Sequence, residues 1–99
     1  MQGRRRYPPD PTEDFPNPIP DDCQPGDYWI DQATQVWYCQ CPNGLFGSLE
    51  KHQVTEHEDR TITVSPSILV KIADSRSEGI HERSRSWHGY LEQGVWREV

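Results

Sequence analysis

A chain of 99 residues with a net charge of −6 allows one small domain and argues against a nucleic-acid groove, because phosphate binding draws on clustered Lys and Arg. Leu, Ile, Val and Phe supply 18 of the 99 residues, under the roughly 20% at which a chain struggles to fold. No apolar run approaches the ~18 residues of a membrane helix, and the apolar stretch of a signal peptide is missing, so the expectation is a protein that stays in a cytoplasm.

The apolar shortfall is uneven. Residues 1–26 hold seven of the nine prolines and, of the apolar set, only Phe15 and Ile19. Residues 27–99 hold the other 16 and all four tryptophans. The reading is therefore an arm over 1–26 and a β-domain over 27–99, small enough that a metal, disulfide or partner would help to support it. The Arg4-Arg5-Arg6 run reads as a solvated terminus. From Tyr7-Pro8-Pro9 to Pro18-Ile19-Pro20 the prolines exclude helix and central strand and favour polyproline-II-like extension, either free or laid along another surface. Tyr7, Phe15 and Ile19 would be the anchors of a docked arm.

Short strands are expected from Asp27 onward. Tyr28-Trp29-Ile30 and Val36-Trp37-Tyr38 are rich in β-formers and flank a loop of hairpin length. Pro42-Asn43-Gly44 marks a tight turn. Ser48 to Gln53 could make one helical turn at most, and Gln53 to His57 forms a third strand that turns at Glu58-Asp59. Thr61-Ile62-Thr63-Val64 and Ile68 to Ile72 lie either side of a Ser65-Pro66-Ser67 break. Residues 73–86 read as a long exposed loop, and Trp87 to Leu91 and Val95 to Val99 as a last hairpin. The fold class is all-β, a small sandwich or a partly open barrel of short antiparallel strands behind an extended Pro-rich arm.

The constellation that could carry chemistry is Cys39-Gln40-Cys41-Pro42-Asn43-Gly44. Residues two apart on a strand share a face, so both sulfurs can point one way, and the turn after them is similar to a zinc knuckle. His52, His57, His81 and His88 are the possible completions, with His88 favoured for its place on a strand beside Trp87. Cys39, Cys41 and His88 are thus the candidate metal ligands, for zinc. Two alternatives stand beside zinc: free buried cysteines acting as small hydrophobes, or a disulfide from Cys23 to Cys39 or Cys41. A Cys41–His88 nucleophile pair would need a depressed thiol pKa and a pocket. Glu56, Glu58 and Asp59 read as a solvated edge. The tryptophans read as the core of a small β-domain, with a binding face as the other possibility.

Thr63-Val64-Ser65-Pro66-Ser67-Ile68-Leu69-Val70 closely resembles the T-x-S-P-S-I-L-V segment of a family of small phage and prophage proteins of unknown function. In that family a variable loop follows, then a His-containing strand ending in an x-x-G turn; Trp87-His88-Gly89-Tyr90-Leu91-Glu92-Gln93-Gly94 is similar. Members also carry an upstream C-P-x-x-G or C-P-x-C element, which Cys41-Pro42-Asn43-Gly44 resembles. This chain departs from the pattern in having Trp87 where many members have a Cys, and in lacking the second Cys after Cys41-Pro42. The resemblance implies a phage origin and a compact β-fold and brings no activity. The functional expectation is a non-enzymatic phage protein without an obligatory cofactor. As a virion accessory component of head or tail, it would be anchored by its arm to other virion proteins. The alternatives are an infection-stage protein that binds a host protein in the host cytoplasm, and a zinc-dependent enzyme using Cys39, Cys41 and His88. Neither nucleic acid nor membrane is expected as a partner.

Overall fold

The structure, a computed structural model, describes residues 1–71 and 86–99. Among them are eight strands in two four-stranded sheets and no helix. The first sheet holds β1 (Arg4–Arg5), β2 (Asp27–Ile30), β3 (Trp37–Gln40) and β4 (Phe46–Ser48), side by side in chain order. The second holds β5 (Gln53–Glu56), β6 (Ile62–Lys71), β7 (Ser86–Glu92) and β8 (Val95–Glu98), also in chain order. All ladders are antiparallel except β1 on β2, which is parallel. The all-β expectation is met: the sheets form a sandwich, not a closed barrel.

Alternation along the strands builds one core between the sheets. Tyr28, Cys39, Cys41 and Leu49 enter it from the first sheet and its loops; Ile62, Val64, Ile68, Trp87, Leu91 and Trp96 enter from the second. Burying each large aliphatic side chain here contributes about 1.5–3 kcal/mol. Trp87 and Trp96 meet edge to face, their centroids 5.2 Å apart. On β7 the small residue is Gly89, because a Cβ there would overlap both the Trp87 indole and the Arg97 carbonyl.

The turns follow from local chemistry. Gln93 and Gly94 both have positive φ (47° and 78°), which gives the two-residue hairpin turn whose twist matches the flanking strands. At the turn before β4, the Gly44 N–H donates to the Cys41 carbonyl (2.8 Å). The Ser65-Pro66-Ser67 break is a bulge inside one long strand. Val64 pairs with Leu91 and Ile68 with Gly89, so β6 spends two more residues than β7 over that interval. Pro66 falls beyond the last β5 pair, Gln53–Ser65, and before pairing with β7 resumes, so no ladder bond requires the N–H it lacks. The loop expected over 73–86 lies outside the described residues, apart from Ser86, which opens β7.

The N-terminal residues differ from the solvated run expected of them. The Gly3 N–H donates to the Gly94 carbonyl (2.6 Å), and the Trp96 N–H to the Met1 carbonyl (2.7 Å). The Arg4 and Arg6 N–H groups then bond to Gly26 and Tyr28 (3.1 and 2.9 Å), so one short segment is stitched to an edge of each sheet. The chemical reason is Asp27, only 2% exposed, whose carboxylate accepts two bonds from Arg4 and one from Arg6, each 3.0 Å. A carboxylate buried that deeply needs such donors. Burial alone would raise its pKa. The Arg4, Gln24 N–H and Arg6 hydrogen bonds outweigh burial and hold the carboxyl below the ordinary range. Residues 1–6 of the arm expected over 1–26 are therefore paired to the sheets, ahead of the proline-rich segment that begins at Tyr7.

Candidate functional site

Cross-strand register places a second set of aromatic residues on the outer face of the first sheet. Trp29 pairs with Tyr38, Tyr38 with Ser48, and Phe46 is two residues from Ser48, so all four side chains share the face opposite the core. Trp29 stacks near-parallel to Tyr38 (centroids 6.3 Å apart, planes at 22°) and meets Phe46 edge-on (6.4 Å, 71°).

The proline-rich segment covers part of this face. Arg6 draws it back by donating to the Asp21 and Asp22 carbonyls. Thr12 and Phe15 close a turn through two 3.0 Å hydrogen bonds, Thr12 N–H to the Phe15 carbonyl and Phe15 N–H to Thr12 Oγ1. With its amide turned to donate, Asn17 meets the Asp31 carboxylate. Asp31 is buried and also accepts from the Ala33 N–H (2.9 Å). The segment is thus a loop fastened at both ends. Between it and the sheet lies a half-open cavity of about 370 Å³, walled by Pro18, Ile19, Trp29, Tyr38, Phe46 and Asp31. Trp29 is only 4% exposed under this cover, whereas Phe46 remains 53% exposed at the mouth.

Of the three expected anchors, Ile19 lines the cavity at 53% exposure. Phe15, 70% exposed, stands with Ile19 along a neighbouring groove that includes Pro9, Asp10 and Asp21. Tyr7 is exposed beside the Arg5 guanidinium, 5.0 Å from its ring centroid. The structure therefore brings Phe15 and Ile19 to one surface and leaves Tyr7 by Arg5. Sequence reading did not find Trp29, Tyr38 and Phe46 as a wall. The signal was present in the hairpin: with Tyr28 and Ile30 facing inward, Trp29 must face out.

The expected metal group does not assemble. Cys39 and Cys41 are fully buried, whereas His88 is exposed on the outer face of β7, with its Nε2 3.0 Å from Ser67 Oγ. With Trp87 inward, alternation sends His88 outward, so its expected access to the core is corrected. Among the described residues no group of three His, Cys, Asp or Glu side chains is placed to hold a metal. His52 and His57 bond to the Ser67 carbonyl (3.1 Å) and Thr63 Oγ1 (2.7 Å), and His81 lies outside the described residues. All three cysteines are free thiols, so neither disulfide alternative is formed. The neighbouring Cys41 side chain and burial push the Cys39 thiol well above the ordinary thiol range. Burial and the Asp27 carboxylate likewise raise Cys23. A protonated, water-excluded thiol packs as a small hydrophobe and is a poor nucleophile.

Taken together, the outer face carries an aromatic-walled, acid-lined cavity roofed by a tethered proline-rich loop. No family model, curated protein or solved structure matches the chain.

Proposed function

We propose that this chain is a non-enzymatic phage protein, a virion accessory component of head or tail that docks onto a neighbouring protein through its proline-rich loop. The observation that supports this reading is the exposure of Phe15 and Ile19 on a loop already fastened by Arg6 and Asn17. A pre-shaped loop loses less conformational entropy on docking than a free arm does, so two apolar anchors go further toward binding. The test is quantitative mass spectrometry of purified virions carrying wild-type chain or the Phe15→Ala/Ile19→Ala double variant. The expected result is many wild-type copies per particle and strong depletion of the variant. Equal incorporation of both would sink the role of the loop, and absence of the wild-type chain would sink the virion role.

A second reading, a small infection-stage protein that binds a host protein in the cytoplasm, draws on the net charge of −6. It also draws on carboxylates, with no cation among the described residues, in the walls of both surface depressions beside Ile19. Absence from virions together with recovery of a single basic host protein on immobilised chain would favour it.

A further inference from the structure

The walls of the cavity beside Ile19 specify what could fill it. Three aromatic rings present π-faces and edges there, and among the described residues the buried Asp31 carboxylate is its only charged lining group. The adjoining groove adds Asp10 and Asp21, again with no Lys or Arg among the described residues. An aromatic wall backed by a carboxylate favours a cation that also offers a flat or apolar surface. The same chain shows this pairing elsewhere: the Arg5 guanidinium lies 4.6 Å from the Trp37 ring centroid and Arg97 lies 5.1 Å from that of Tyr90. A partner backbone entering there would lie beside the proline-containing segment Asn17-Pro18-Ile19, which lines the cavity.

We infer that the cavity between the loop and the first sheet receives an arginine side chain from an extended, proline-flanked segment of a partner protein. The guanidinium lies against Tyr38 and Phe46 and faces Asp31, while the segment runs beside Pro18 and Ile19. This deepens the docking reading above and rests on it, by naming the chemistry of the partner. Phe46 is the entry residue, since it is the most exposed of the three rings. Asp31 is the charge that selects a cation over a neutral apolar group.

The test titrates the full isotope-labelled chain with a capped proline-rich peptide bearing one central arginine, and with a counterpart bearing glutamate. The expected result is saturable shifts at the Trp29 indole, Tyr38 and Phe46 with the arginine peptide, and none with the glutamate peptide. Phe46→Ala and Asp31→Asn should each weaken binding about fivefold, equivalent to about 1 kcal/mol. Asn at 31 still accepts the Ala33 N–H, and Phe46 is half exposed, so both variants should stay folded, which the same spectra check. Three results would overturn the inference: no saturable shift with the arginine peptide, equal binding of the glutamate peptide, or full affinity in Phe46→Ala. Virion counting is independent of this titration. A chain present in particles that ignores arginine peptides refutes the inference alone, and a chain absent from particles that binds them refutes the virion role alone.

Discussion

Trp87 is buried against Trp96 and covers Gly89, so truncating it opens a cavity that neighbouring backbone cannot fill. Trp87→Ala should lose about 3–5 kcal/mol in urea denaturation; a loss near zero would place the indole at the surface. Asp27 gives a pH prediction. Its folded pKa is lowered, so the stability it contributes is fully present above the ordinary carboxylate range and is lost as pH falls through the depressed value. Urea midpoints should therefore drop on acidification below that range. Asp27→Asn should weaken the acid step and cost about 1–3 kcal/mol at neutral pH. These two residues also mark what sequence could and could not supply. Trp87 was legible as core from its β-rich surroundings. A core Trp87 and an inward His88 exclude each other on one strand, and that conflict was resolvable from period-two alternation alone. Asp27 gave no such signal, because nothing local ties it to arginines more than twenty positions earlier in the chain.

At the level of strands, the hairpins 27–40 and 86–98 were readable because β-formers flank short polar loops. β4 was not, since Phe46-Gly47-Ser48 has one β-former and a glycine. Its place is fixed by the close approach of Gly47 to Val70 across the core, a contact no local pattern encodes. By sequence the Ser65-Pro66-Ser67 segment reads as a break between two strands. It remains within β6 because the bulge sets Pro66 where neither neighbouring ladder asks for a backbone donor. Gly89 sets a strand-scale prediction. Gly89→Ala forces a methyl into the Trp87 ring and should cost about 1–3 kcal/mol by overpacking, read as a lower urea midpoint with an unchanged slope. The cavity site was half legible: its anchors Phe15 and Ile19 stand out in a proline-rich stretch. Its wall depends on which face of a hairpin turns outward, and the cover depends on where the loop folds back.

Across the molecule, stability and docking separate by position. Removing residues 1–6 strips β1 from one sheet and the Met1–Gly3 contacts from the other. It should lower the urea midpoint far more than a surface change would, and it should expose Asp27 to acid. Phe15→Ala and Ile19→Ala alter exposed side chains and should leave stability within about 0.5 kcal/mol, so any loss of partner binding in them reports on the interface. This reassigns the arm: its first part belongs to the framework and only the loop from Tyr7 onward is free to serve a partner.

The stitching of Met1–Gly3 onto β8 also bears on how the chain reaches its fold. Trp96 and Met1 are 95 positions apart, so the segment before β1 bonds to the last of the eight strands. Loop-closure entropy makes such distant pairings slow to form. On the ribosome, residues 1–6 must wait until β8 has emerged. Until then the Asp27 carboxylate can find its arginines, but the second sheet keeps an open edge, and the sandwich is completed only by the arrival of β8.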